Sequence, residues 1–434
     1  MEKGTTMKKK VLLVGPILTQ SGYGEHSRLF YRALKSREDL FDIFINPIGW
    51  GQTSWTYDDS EERKEIDATI NKTFEHMNNK LPFDICIMVT IPNEWQRYRA
   101  APINIGVCAG IESDRVSPHW IDAANNFVDK ILVTSDFSKE TFEVEWPVTD
   151  QNGNSLLLEL KKPVEVVNYH VKDAFLKPKK ELMEKLEFKH DFNFLCVAQW
   201  GPRKNIINTI KFFMDEFKND EVGLVLKLNK KNNSTIDFYD VKNEIGRLLR
   251  DYPDRSCSVE LIHGYISDEE MASLLIHPQI KAMINFGHGE GFGLPLFEAA
   301  AVGLPVITHD WGGQKDFLYA PKKDKRTKKE KLRPHFGKVS YDLKPIQEEA
   351  RWDGVLQPES QWAFPHWGSC QIALRQCYEN YTLSTGQSKR LKKWVLENFA
   401  KDKILKWAVE CIVESEDPEI DDWLSSLEEI EMFE

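Results

Sequence analysis

The chain has 434 residues, of which 41% are hydrophobic and 29% charged, and its net charge is −11. That length is ample for two or three buried cores, and the composition is too apolar for a disordered chain. The acidic balance argues against a protein that adheres to polyanions over its whole surface, and no run approaches the ~18 apolar residues of a membrane-spanning helix.

A five-residue apolar run, 11–15, precedes Pro16 and is too short for the core of a signal peptide. The seven cysteines are scattered and contain no Cys-x-x-Cys pair. Neither a zinc site nor a disulfide framework is indicated, and a reducing cytoplasm is the expected location. Thirteen tryptophans are the one unusual count.

Short β-rich runs alternate with helical stretches. Residues 11–15, 41–48, 83–90, 103–109, 130–135 and 164–169 are apolar and β-branched, with helical spacing at 26–36 and 138–145. The pattern then restarts with runs at 192–199, 222–229, 258–264, 280–287 and 304–308, and with helices at 205–218, 236–252 and 267–276. Continuous apolar strands separated by helices predict a parallel sheet covered on both faces. Two such series predict an α/β protein of two doubly wound, Rossmann-like domains. The boundaries fall at 1–170, 171–400 and 401–434, the last being helical, able to cross back to the first domain, and ending in an acidic tail.

The first strand runs into Pro16 and a turn in which Gly22 and Gly24 precede a helix expected to begin near Glu25. Glycines there let a backbone approach a ligand, and a helix N-terminus favours an anion. A tight βα turn accounts for them equally well. A dinucleotide fingerprint does not, because its third glycine is replaced by Ser27. The segment 49–65 reads as an insertion, whose Trp50, Trp55 and Tyr57 are candidates for stacking on a sugar or base.

The most informative segment is 285–313. A strand ends at Phe286, and Gly287, Gly289, Gly291 and Gly293 follow. Pro295 starts a helix that stops at Gly303, the expected asymmetry of proline at the start and glycine past the end. The amides of such an N-terminus face a phosphate-bearing ligand. Glu290 stands at the mouth of the loop and Glu298 eight residues later, where a carboxylate accepts hydrogen bonds from paired sugar hydroxyls.

EGFGLPLFE with this glutamate spacing, then AxxxGLPVI and a Gly-Gly turn, resembles the retaining nucleotide-sugar glycosyltransferases of family 4. Segments 133–142, 166–178, 194–213 and 263–275 agree, so the resemblance spans about 10 to 318. It implies the GT-B fold, with two Rossmann-like domains facing each other across a cleft. It implies that Glu298 holds the ribose hydroxyls and that Glu290 faces the transferred sugar. The backbone at Gly291, Phe292, Gly293 and Leu294 would approach the sugar and diphosphate. Lys204, beside Arg203, would neutralise the leaving diphosphate, while Gly22 and Gly24 would line the opposite wall. Gln199 stands where the family usually has an arginine, and Arg203 would supply the missing charge. Glu112, after a strand end, would project toward the sugar.

The resemblance implies a nucleotide-sugar donor, a UDP- or GDP-sugar, with no resident cofactor. The chain has no Asp-x-Asp, so cations and helix amides, not a metal, are expected to stabilise the leaving group. The acceptor stays open between a glycan, a lipid-linked glycan and a hydroxymethylated base in DNA. The run 321–334 has eight Lys/Arg against Asp324 and Glu330. It reads as a solvated basic loop or as a patch for a polyanion. A non-catalytic nucleotide- or glycan-binding GT-B relative is the alternative to the enzyme. A dehydrogenase is more distant, since the Gly22 turn departs from its pattern.

Overall fold

The computed structural model describes residues 7–56, 58–149, 155–323, 326 and 329–413. The first apolar series forms six parallel strands: β1 (Lys9–Gly15), β2 (Phe41–Pro47), β3 (Ile85–Val89), β4 (Ile103–Cys108), β5 (Lys130–Val133) and β6 (Val164–Val166). The second forms β7 (Asn193–Gln199), β8 (Gly223–Asn229), β9 (Ser258–Ile262), β10 (Ile280–Asn285), β11 (Val306–His309) and β12 (Gly337–Val339), again all parallel. Strands covered on both faces have no polar side to show, which is why they read as unbroken apolar runs.

The chain divides into two units. One comprises Met1–Ile111, Arg115–His170 and Lys401–Glu434, the other Glu112–Asp114 and Val171–Ala400. In the first unit the strand order is β2-β1-β3-β4-β5-β6, and in the second β9-β8-β7-β10-β11-β12. Each order reverses once, between β1 and β3 and between β7 and β10. Ligands of open α/β sheets bind beyond the carboxyl ends of the strands at such a reversal.

In the first unit the Gly22–Lys35 helix buries Leu29, Phe30, Ala33 and Leu34. The Lys401–Val413 helix belongs to this unit too. Its Trp407 indole donates to the Val166 carbonyl (2.7 Å), and Lys130 donates to the Cys411 carbonyl (3.2 Å). In the second unit the Ile206–Phe217 helix buries Ile206, Ile210, Phe213 and Phe217 at helical spacing, and these pack with Phe194, Leu224 and Leu226 of the sheet.

Two expectations are corrected, the start of the first helix and the form of the basic run. The first helix begins at Gly22, not Glu25, because the Ser21 hydroxyl accepts from the Gly24 amide and caps it there. The 49–65 segment is docked at one end and helical at the other. Thr19 bridges to Trp55, and Ser60 caps the Glu61–Asn78 helix, with Tyr57 outside the described residues. The basic run is not a loop through its length. Tyr319–Lys323 and Glu330–Pro334 pair as an antiparallel hairpin, while Asp324, Lys325 and Lys328 lie outside the described residues. The acidic tail from residue 414 does too.

Candidate functional site

The reversal in the second sheet places two loops side by side. After β7, Pro202–Lys204 makes a single 3-10 turn that ends at Asn205, held in the left-handed region at φ 53°. Its side-chain amide donates to the Phe286 carbonyl (2.9 Å), tying this turn to the end of β10. After β10 the glycine loop begins, and the His288 amide donates to the Arg203 carbonyl (2.7 Å). Gly289 is required by this closeness. A Cβ there would stand 2.4 Å from the Glu112 carbonyl oxygen.

Four of the residues expected at the site meet in this place. Lys204 Nζ lies 2.5 Å from Glu290 Oε1. Arg203 lies 3.4 Å from Glu290 Oε2 and 3.1 Å from Glu112 Oε1, and it donates to the Gly289 carbonyl at 2.7 Å. Asn285, the last residue of β10, donates to Glu290 Oε1 at 2.7 Å and accepts from the Gly287 amide at 2.8 Å. The Gly313 amide in turn donates to the Glu290 carbonyl (2.8 Å), so the Gly-Gly turn after β11 holds the backbone of this glutamate.

Burial penalises every charge here, and the neighbours decide which survive. Burial would raise the Glu290 pKa, but Lys204 and Arg203 outweigh it and hold the carboxyl at about 2. Burial works against the Arg203 charge, and Glu112 and Glu290 more than restore it. Lys204 is lowered by burial and by the adjacent Arg203, against the pull of Glu290. Glu290 is therefore a fixed anion, and Lys204 is the cation most open to gain from a second negative partner.

The Leu294–Val302 helix follows. Its N-cap is Gly293 at φ 93°, and no side chain caps it. Phe292 is buried against Phe297 and Phe317, so this part of the loop offers backbone rather than a ring. Glu298 is the fifth residue of the helix and lies 3.7 Å from Lys172, which also pairs with Asp268 at 2.8 Å. Gln199 turns its amide to the Lys230 carbonyl (2.8 Å) and is not among the partners of Glu290.

Gly22 and Gly24 belong to the other unit. A Cβ on Gly24 would stand 2.3 Å from the Thr19 carbonyl, so the turn itself demands this glycine, whereas Gly22 faces open space. Tyr23 stacks on Trp50 with centroids 4.0 Å apart. The tryptophans divide: Trp95, Trp120, Trp146 and Trp362 are buried in the core, while Trp55, Trp352, Trp367 and Trp407 are exposed.

Sequence reading passed over Asn205, Asn285 and Lys172. The two asparagines carried a local signal, since each ends a run at a loop that needs a left-handed residue or a local amide acceptor. Lys172 carried none, because its partners are distant in the chain. Among the described residues, no group of three or more His, Cys, Asp or Glu side chains is arranged to hold a metal ion, and no helix is long and apolar enough to cross a membrane.

The family model for glycosyl transferases group 1 matches residues 258–323, a stretch that includes the glycine loop, Glu290 and Glu298. A serotype-specific mannosyltransferase of Escherichia coli, WbdA, is 33% identical over 118 residues, which is 27% of this chain and 13% of that relative. The chain thus spans only a small part of that relative's length. Among solved structures, sucrose-phosphate synthase from Thermosynechococcus elongatus superposes with a TM-score of 0.62 at 14% identity, covering 93% of this chain and 98% of that one. A glycosyltransferase from Rickettsia africae gives 0.59 at 15% identity, covering 94% and 99%. Anabaena HepE in complex with UDP-glucose gives 0.56 at 13%, covering 93% and 98%. At such identities the likeness is one of fold. The chain therefore has two parallel-sheet α/β units like those of GT-B glycosyltransferases, and its 258–323 segment matches the group 1 glycosyl transferases.

Proposed function

We propose that this protein is a retaining glycosyltransferase that moves a sugar from a UDP- or GDP-sugar to an acceptor hydroxyl. The observation that carries the reading is the meeting of Arg203, Lys204 and Glu290 at the reversal of the second sheet, beside a helix N-terminus with no side-chain cap. The match of the adjoining segment to the group 1 glycosyl transferases supports it, as do a mannosyltransferase relative and a structural neighbour that holds UDP-glucose.

In this reading the donor diphosphate competes with Glu290 and Glu112 for the two cations. Lys204 and Arg203 meet the negative charge that grows as the bond from the sugar to phosphate breaks, and the helix amides add to it. Glu290, ionised and anchored by Asn285, orients the hydroxyls of the transferred sugar. Glu298 accepts from the ribose hydroxyls. The new bond to the acceptor oxygen forms on the face the phosphate leaves, and a departing phosphate oxygen takes the acceptor proton. No protein nucleophile is needed, unlike the paired carboxylates of retaining glycosidases. The stabilising charge comes from side chains and amides, without a divalent metal.

A panel of UDP- and GDP-sugars, followed by nucleotide release with glycan, lipid-linked and DNA acceptors, tests this. One donor is expected to turn over, with the sugar's anomeric configuration kept in the product by NMR. An inverted product overturns retention. Tight donor binding with no release on any acceptor favours a non-catalytic binding protein.

A further inference from the structure

The hairpin built from the basic run has a sided charge that the proposed sugar transfer does not use. Directly opposed residues share a face, and faces alternate along each strand. The register pairs Ala320 with Arg333 and Lys322 with Lys331, which puts these four on one face. The other face has Tyr319 with Pro334, Pro321 with Leu332, and Lys323 with Glu330. One face is thus purely cationic beyond the buried Ala320, and the other has an opposite-charge pair and the exposed Leu332.

Lysines directly opposite each other destabilise a hairpin. Nothing local offsets this: among the described residues, Lys322, Lys331 and Arg333 have no ion-pair partner. The Tyr381–Asn398 helix packs beside the hairpin and adds Arg390, exposed and likewise unpaired among the described residues. The two elements converge on His335, which bonds the Arg333 carbonyl at 2.8 Å. Burial, and then the charges of Arg390 and Lys322, lower its pKa. In a chain of net charge −11, four unpaired cations gathered on two packed elements are a local reversal of sign.

We propose that the face formed by Lys322, Lys331, Arg333 and Arg390 binds the phosphate backbone of a nucleic acid. Charge complementarity selects a polyanion, and the faces of the hairpin select which one. Binding in a bilayer interface needs apolar and cationic side chains presented so that one inserts while the other meets headgroups. Here the exposed Leu332 lies on the face opposite to the unpaired cations, so one approach cannot use both. A phosphodiester strand needs only the cations and makes binding fall steeply with salt. This inference does not rest on the proposed sugar transfer, since binding is read without turnover.

The test is fluorescence anisotropy of the full chain with a labelled mixed-sequence DNA oligonucleotide, single-stranded and duplex, over a range of salt. Vesicles of phosphatidylserine and phosphatidylcholine are run beside it. The variant is Lys322→Ala/Lys331→Ala/Arg333→Ala, all at exposed positions. Lys179→Ala/Lys180→Ala/Lys185→Ala removes the same charge from another exposed stretch of the same unit. The hairpin variant should weaken binding at least about tenfold and flatten the slope of log K against log salt by about 2 to 3, with the control variant close to wild type. Equal loss in both variants, an unchanged slope, no DNA binding by the wild type, or binding to vesicles alone each overturns the proposal.

Discussion

The two sheet reversals obey one topological rule and present different chemistry. Beyond β1, the turn is closed on itself. Arg28 donates to the carbonyls of Ile17 (2.7 Å) and Thr19 (3.1 Å) and pairs with Glu25, which also pairs with Arg32. What this reversal offers is small polar groups and the Tyr23–Trp50 stack. Beyond β7 and β10, by contrast, two cations and two carboxylates meet, with Glu290 held at about 2 by its neighbours. The difference lies in where the charged residues fall. In the first unit they sit inside the helix and neutralise its own turn. In the second they sit on the loops, where a ligand can compete for them. The proposed function therefore puts its diphosphate site in the second unit, even though the glycine-rich turn of the first looks like one in sequence.

The strongest way to break this contrast is to remove Lys204. Lys204→Ala should lower donor turnover about 10²- to 10³-fold, mainly in kcat, in steady-state nucleotide release. An equal loss from Trp50→Ala alone would dissolve the distinction between the units.

Glu298→Ala should raise the donor KM about 10- to 100-fold, the scale of lost hydrogen bonds to a charged group, with a smaller change in kcat. Measuring KM for the whole nucleotide sugar and inhibition by the free nucleotide separates ribose recognition from sugar recognition.

In the first unit the expected effect is structural. Gly24→Ala forces a Cβ toward the Thr19 carbonyl and should cost about 1–3 kcal/mol in urea unfolding. Gly22→Ala meets open space and should be neutral or slightly stabilising. A large loss of donor affinity in Gly22→Ala, with stability intact, would instead assign that turn to ligand binding.

The smallest effect is in pH. The Glu290 carboxyl falls from an ordinary 4.5 to about 2 on folding. Its stabilising contribution is complete above about 4.5 and is lost as pH drops from there toward about 2. Glu290→Gln should therefore show a shallower loss of stability across that window, read by denaturant midpoints at several pH values.

Much of this was legible in the chain. The two βα series appear as apolar runs because both faces of each sheet are covered, and Glu290 and Glu298 stand out through the glycine loop and Pro295 between strands. Arg203 and Lys204 were legible only through the resemblance to a known family, since a lysine after a strand is by itself an ordinary surface residue. What escaped the sequence depends on contacts between distant segments. The Lys172–Glu298 pair, the Asn205 bond to Phe286 and the passage of Gly289 over Glu112 have no local pattern. The basic run misled through its composition, because lysine density hides the alternation that its hairpin register makes plain. The tryptophan count was silent on place. Trp95 and Trp120 are core residues, and ring count alone cannot separate packing from recognition.

The central claim is that the charge cluster of the second unit holds the donor diphosphate. Calorimetric titration of UDP and GDP into the wild type, Arg203→Ala/Lys204→Ala, and Tyr23→Ala/Trp50→Ala tests it directly. One nucleotide is expected to bind the wild type, the cationic double variant to lose at least about a hundredfold in affinity, and the aromatic double variant to stay within about threefold. Full affinity in Arg203→Ala/Lys204→Ala, with the loss falling on Tyr23→Ala/Trp50→Ala, would contradict it.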